Sequence, residues 1–258
     1  MQHDKIENIS CLIFDYGGTL DTNARHWAHV LWDGYRHTMQ SASCGAPLSY
    51  VSHEQFREAY VFGERALAKA PIVCPTDNFL QVLQKKTTQQ LHYLSEQGIW
   101  QGTPSQREEA IHSISHFCYD YAARTVQESK AVLDALLPHY RMVLVSNFYG
   151  NIEAILRDFH LQHFSHIVES AVVGVRKPDP AIYRLGVEAA GCPASSCLVV
   201  GDSFDKDIVP ATTVGCHTIW LKGEGWTTAE DDRATAPGAP RPTAIVQRLS
   251  DILPLLLP

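Results

Sequence analysis

The chain has 258 residues, enough for one large domain or for a core domain carrying a smaller insertion. Hydrophobic residues make up 45% and charged residues 19%. The formal net charge is -7 with no long basic run, which argues against nucleic acid or an anionic membrane as the main partner. The seven cysteines are scattered, odd in number and form no C-x-x-C pair, so neither a disulfide framework nor a zinc knuckle is suggested and a reduced, cytoplasmic setting is expected. Met1 to Ser10 is polar, and no segment approaches the roughly 20 apolar residues of a membrane span.

Ile9 to Phe14 reads as a buried strand ended by Asp15 and two glycines. From Asn23 to Lys130 the pattern changes to amphipathic helices with almost no strand signal: His53 to Ala70, Asn78 to Gln97 and Gln106 to Arg124. Breaks at Gly45-Ala46-Pro47, Pro71 to Pro75 and Gly102-Thr103-Pro104 separate them. Strands return at Met142 to Val145, His166 to Glu169, Cys197 to Val200 and His217 to Leu221. Helices are expected between them at Asn151 to Phe159, Pro180 to Ala190 and Asp207 to Val214, the last two ending at Gly191 and Gly215. Thr227 to Pro242, rich in Ala, Pro, Asp and Thr, reads as a surface loop, and Ala244 to Leu257 as a last helix.

Strands apolar at nearly every position suit a parallel sheet covered on both faces. Strand and helix alternating after residue 140 is the signature of a doubly wound α/β fold. The expected organisation is therefore an α/β core from residues 1–22 and 131–258, with an α-helical domain inserted at 23–130.

Ligands of such sheets bind beyond the carboxyl ends of the strands. Asp15, Ser146-Asn147 and Asp202 end three strands, with Asp205 and Asp207 just after and Lys177 in Gly174-Val-Arg-Lys-Pro-Asp-Pro180 before a helix. Asp15, Asp202 and Asp207 with one lysine form a charge cluster that calls for a cation, because close carboxylates disfavour joint ionisation. Mg²⁺, a hard ion with oxygen ligands, fits. One carboxylate then remains to act as a nucleophile. Lys177, Ser146 and backbone N–H groups after Asp15 can hold a phosphoryl group.

Four segments resemble the motifs of the haloacid dehalogenase (HAD) superfamily, in its order: Phe14-Asp-Tyr-Gly-Gly-Thr-Leu20, Val145-Ser-Asn147, Lys177-Pro-Asp-Pro180 and Val200-Gly-Asp-Ser-Phe-Asp-Lys-Asp-Ile208. The resemblance implies a Rossmann-like core with a helical cap between the first two motifs. It implies that Asp15 forms an aspartyl-phosphate from a small phosphorylated metabolite. Asp15, the backbone of Gly17, Asp202 and Asp207 would ligate Mg²⁺, the spacing favouring Asp207 over Asp205. Ser146, Asn147, Gly18 and Lys177 would contact the phosphoryl group.

The pattern is broken at Gly17, where phosphatases of the family carry a second aspartate that protonates the leaving group. Asp21, Arg25 and His26 are weak substitutes. Three alternatives follow. A phosphonate hydrolase would need a cap lysine such as Lys69, Lys85 or Lys86. A dehalogenase would need the tyrosine at Gly17 rather than at Tyr16. A phosphate- and Mg²⁺-binding regulatory protein would need little turnover. His112 with His116, and His160, His163 and His166, are expected to be surface or packing histidines. Trp27, Trp32 and Tyr35 are expected in the core of the helical domain.

Overall fold

The structure is a computed structural model that describes residues 5–40, 48–69 and 71–257. The chain forms two compact units, one of residues 1–26, 124–150 and 159–258, the other of 27–123 and 151–158.

The first unit is built on a six-stranded sheet of order β3-β2-β1-β4-β5-β6, parallel throughout. The strands are β1 (Cys11–Phe14), β2 (Arg141–Ser146), β3 (His166–Glu169), β4 (Cys197–Gly201), β5 (His217–Leu221) and β6 (Ala244–Val246). Every residue of β1 and β4 is buried, as their unbroken apolar runs require. The chain steps from β1 to β2 and β3 on one side, then returns to β4, β5 and β6 on the other. The reversal makes the carboxyl end of β1 the topological switch point, where a crevice for ligands forms. Asp15 is the next residue.

The parallel register also gathers residues far apart in sequence. Cys11 is the partner of Cys197 on the neighbouring strand, and Cys216 lies one residue before the Leu198–His217 pair. The Cys192 Sγ lies 3.5 Å from that of Cys197. Four of the scattered cysteines thus meet at the amino end of the sheet, as free thiols.

The second unit holds α1 (Trp27–Met39), α2 (His53–Lys69), α3 (Phe79–Glu96) and most of α4 (Pro104–Leu136), together with α5 (Ile152–Asp158). Asn78 and Gln81 cap α3 reciprocally, each side chain accepting from the other's backbone N–H. Thr103 and Gln106 do the same for α4, with Pro104 at its first position. Trp32, Tyr35 and Phe56 pack ring against ring, and Trp27 packs on Phe79. The expected break at Gly45-Ala46-Pro47 and the end of a helix at Ala70 lie outside the described residues.

Three expectations are corrected. Helix α4 runs as one piece through Leu136, well past Arg124. Ala244 to Leu257 is not a helix. Ala244–Val246 pairs with Ile219–Leu221, and only a short α10 (Leu253–Leu256) follows. Pairing decides this: Ala244 and Val246 point inward and Ile245 outward, a period of two that a helix cannot satisfy. Thr227 to Pro242 is not all loop, because Ala229–Thr235 forms α9. The remaining elements are α6 (Ser170–Val173), α7 (Ala181–Ala190), a π-helical turn at Phe204–Ile208 and α8 (Val209–Val214). Among the described residues no helix is long and apolar enough to cross a membrane.

Candidate active site

Asp15, Asp202 and Asp207 each present a carboxylate oxygen, and the three oxygens lie within 4.8 Å of one another. Their strands bring them there: Asp15 follows β1, Asp202 follows the adjacent β4, and Asp207 sits on the π-helical turn after it. Lys177 is the matching cation. Its buried Nζ donates to Asp15 Oδ1 at 2.5 Å and to Asp207 Oδ1 at 2.7 Å.

Burial pushes Asp15 up to about 6, with Lys177 pulling it down and Asp207 pushing it further up. Burial, then the charges of Asp15 and Asp207, holds Asp202 well above the usual carboxylate range. Burial alone would lower Lys177, but Asp15 and Asp207 more than offset it and keep the lysine charged. One lysine does not balance three carboxylates in so dry a place. An all-oxygen donor set short of positive charge fits a hard divalent cation such as Mg²⁺.

Ser146 ends β2, and its buried Oγ has no hydrogen-bond partner among the described residues. A buried hydroxyl in that condition costs stability unless a ligand satisfies it. Asn147 is turned elsewhere. Its Oδ1 accepts from the Lys177 N–H at 2.9 Å and its Nδ2 donates to the Lys177 carbonyl at 3.1 Å. It therefore clamps the Lys177 backbone. Gly18 likewise gives its N–H to Asp21 Oδ1 at 2.7 Å, so that donor is committed to the turn instead of facing a ligand. Gly18 has φ +98°, and a Cβ there would collide with the Asp202 carboxylate, so only glycine lets the turn approach this closely.

Gly17 is different. It is exposed, and a Cβ built on it meets nothing within 4 Å. The suggested substitutes are otherwise engaged. Asp21 holds the turn, Arg25 pairs with Glu224 at 2.8 Å, and His26 stacks on Trp226. Tyr16 packs edge-on against Phe148. Asp205 is paired with Arg233. In the helical unit, Lys85 is paired with Asp77 and Lys86 with Glu64. His163 bonds Asp134, and His112 packs at a tilt against His116.

Two residues that sequence reasoning passes over belong to the cluster. Thr19 Oγ1 lies 3.2 Å from Asp15 Oδ2 and 3.1 Å from Asp202 Oδ1, and accepts from the Asp202 N–H. Tyr183, fully buried on α7, donates to Asp207 Oδ1 at 2.7 Å. Burial, then Asp207 and Asp15, keeps its phenol protonated and so a donor. Thr19 lies in the first motif and carries a signal. Tyr183, in the first turn of a helix, carries none.

The chain is similar to known proteins in sequence and in fold. The profile of the haloacid dehalogenase-like hydrolases matches residues 9–215. The chain is 47% identical over 79 residues to haloacid dehalogenase-like hydrolase domain-containing protein 3 of Danio rerio, covering 30% of this chain and 33% of that protein. It is 39% identical over 85 residues to the glyceraldehyde 3-phosphate phosphatase of Pyrococcus abyssi (strain GE5 / Orsay), covering 32% and 36%. These matches span about a third of each relative's length. Among solved structures, a 2-haloacid dehalogenase from Pseudomonas syringae pv. Tomato DC3000 shares the fold at a TM-score of 0.54 and 20% identity, over 96% of this chain and 97% of that one. With the parallel sheet, the acidic cluster at its switch point and a family profile running from β1 to the end of α8, the chain belongs to the haloacid dehalogenase-like hydrolases.

Proposed function

We propose that the protein is a Mg²⁺-dependent phosphatase of a small phosphorylated metabolite, with Asp15 as its nucleophile. The observation that carries this reading is the cluster of buried Asp15, Asp207 and Lys177 with half-buried Asp202, together with the unsatisfied Ser146 hydroxyl. The likeness to a glyceraldehyde 3-phosphate phosphatase supports the choice of phosphorus over halide chemistry.

Asp15, Asp202, Asp207 and the backbone carbonyl of Gly17 would hold the metal. When bound, Mg²⁺ supplies positive charge to the carboxylates and to the phosphoryl oxygens. Lys177 adds charge against Asp15 and Asp207, its backbone fixed by the Asn147 clamp. Ser146 Oγ donates to a phosphoryl oxygen. An Asp15 oxygen forms a bond to phosphorus as the bond to the leaving oxygen breaks, and the leaving oxygen keeps the electron pair. A water oxygen then attacks phosphorus, releasing phosphate and restoring the Asp15 carboxylate. The inserted helical unit is assigned the selection of substrate.

Gly17 offers no proton to the leaving group, and such help is worth about 10² to 10⁴ in rate. The proton therefore comes from water or from the substrate. The same gap favours a second reading, a phosphate- and Mg²⁺-binding protein with little turnover. A panel of phosphomonoesters assayed with and without Mg²⁺ separates the two. We expect Mg²⁺-dependent phosphate release that Asp15→Asn removes. Folded protein that binds Mg²⁺ and hydrolyses nothing on the panel would establish the second reading instead.

A further inference from the structure

The two carboxylates after β4 lie on a single excursion of the chain, residues 202–208, and that excursion is held from outside by a segment whose sequence reads as plain surface loop. Helix α9 contributes the hold. Glu230 Oε1 accepts from Ser203 Oγ at 2.6 Å, and Glu230 Oε2 accepts from the Phe204 N–H at 3.2 Å. Ser203 is the bridge to the acidic cluster, because its own N–H donates to Asp207 Oδ2 at 3.0 Å. Its Oγ also accepts from the Lys206 N–H, capping the π-helical turn. One carboxylate therefore fixes the rotor of the residue that aims Asp207 and the backbone N–H of the next residue.

Other contacts run in the same direction. Arg233, one turn along α9, pairs with Asp205 through both its Nε and an Nη. Trp220 Nε1 donates to the Asp202 carbonyl at 2.8 Å, and its ring packs on Phe204 at 5.3 Å between centroids. Ala234 and Ala239 pack against this apolar group.

The bland account of Glu230 is that of an acid in the first turn of a helix, where negative charge is favoured. Asp231 and Asp232 occupy the same turn and meet that requirement equally. Asp231 pairs with Lys222 instead, so the bonds to Ser203 and Phe204 belong to Glu230.

We infer that Glu230 is a positioning residue for the Mg²⁺ site, acting through Ser203 on Asp207. It rests on the reading of the acidic cluster as a Mg²⁺ site. Partners that orient metal ligands typically change metal affinity by about 10- to 100-fold when removed. The test is titration calorimetry of the full chain with Mg²⁺ alone, alongside hydrogen exchange of residues 202–208. Glu230→Ala should weaken Mg²⁺ binding by roughly tenfold or more and speed exchange in that segment, with Glu230→Gln recovering part of the loss. Asp232→Ala, on the same turn, should bind as the wild type does. Should Glu230→Ala not fold, Ser203→Ala carries the test, with the same weakening expected. Wild-type affinity in a folded Glu230→Ala or Ser203→Ala protein would overturn the inference and leave the reading of the cluster intact. Wild-type protein that fails to bind Mg²⁺ would overturn both.

Discussion

At its amino end the centre of the sheet carries thiols: Cys11 and Cys197 in register, Cys216 beside them and Cys192 against Cys197. At the carboxyl end the same strands β1 and β4 lead into Asp15 and Asp202, with Asp207 and Lys177 alongside. Both ends are largely buried, and burial disfavours the charged form at both, although the bond to Cys197 pulls Cys216 down. Burial pushes Cys11 up to about 12 and Cys192 up to about 11, so these thiols are neutral and pack as small apolar groups. At the other end it pushes Asp15 up to about 6, yet leaves it within reach of ionisation at neutral pH. A thiol row is stable as it stands. A carboxylate row needs a proton or a cation, and that requirement is what makes one end a site and the other a core.

Single substitutions at the carboxyl end should have the largest effects. Asp15→Asn should lower turnover on the order of 10⁴-fold or more, as loss of a nucleophile does, with folding retained by circular dichroism. Gly17→Asp places an acid where a Cβ meets nothing, so the fold should hold. Turnover of substrates with poor leaving groups should then rise by up to about 10²-fold, with little gain for good ones. No gain in a folded variant would show that leaving-group protonation does not limit the rate.

Metal removal sharpens the contrast further. The folded-state pKa of Asp15 is raised above its ordinary 3.8, so in metal-free protein its contribution is present at low pH and lost as pH rises through about 6. Mg²⁺ reverses the dependence by favouring the ionised carboxylates. Saturating Mg²⁺ should therefore raise the melting temperature by roughly 5 to 10 °C at pH 7.5, and by much less at pH 5. A shift independent of pH would count against the cluster as its binding site. Tyr183→Phe removes a donor to Asp207 and should cost about 1.5–3 kcal/mol in denaturant unfolding. The smallest effect belongs to the other end. Cys11→Ala should cost about 1–2 kcal/mol of stability while leaving kcat within about twofold.

Much of this was legible in the sequence, for identifiable reasons. Asp15, Ser146 and Asp202 each follow an unbroken apolar run, so the strand that places them also announces them. Lys177 and Asp207 were legible by their spacing around those runs. Thr19 lies within the first motif, but its bond to Asp202 depends on a residue 183 positions away. Tyr183 and Glu230 look like ordinary helix residues until the register of β4 brings the Asp207 turn to them. Strand β6 is too short for its period to show, and only pairing with β5 defines it. Helix α9 sits in a segment rich in Ala, Pro, Asp and Thr, and is held in place by Glu230, Arg233 and the Trp220 cluster, not by its own pattern. Residues that act at a strand end are readable locally, and residues that hold them there are not.

On the proposed mechanism, Asp15 carries the phosphoryl group between two half-reactions. Wild-type protein turning over a phosphomonoester hit with Mg²⁺ can be quenched in acid and mapped by mass spectrometry. The account predicts one added phosphoryl group on the peptide containing Asp15, removed by hydroxylamine and absent from Asp15→Asn. Active enzyme that shows no such adduct at Asp15, or an adduct on another residue, would contradict it.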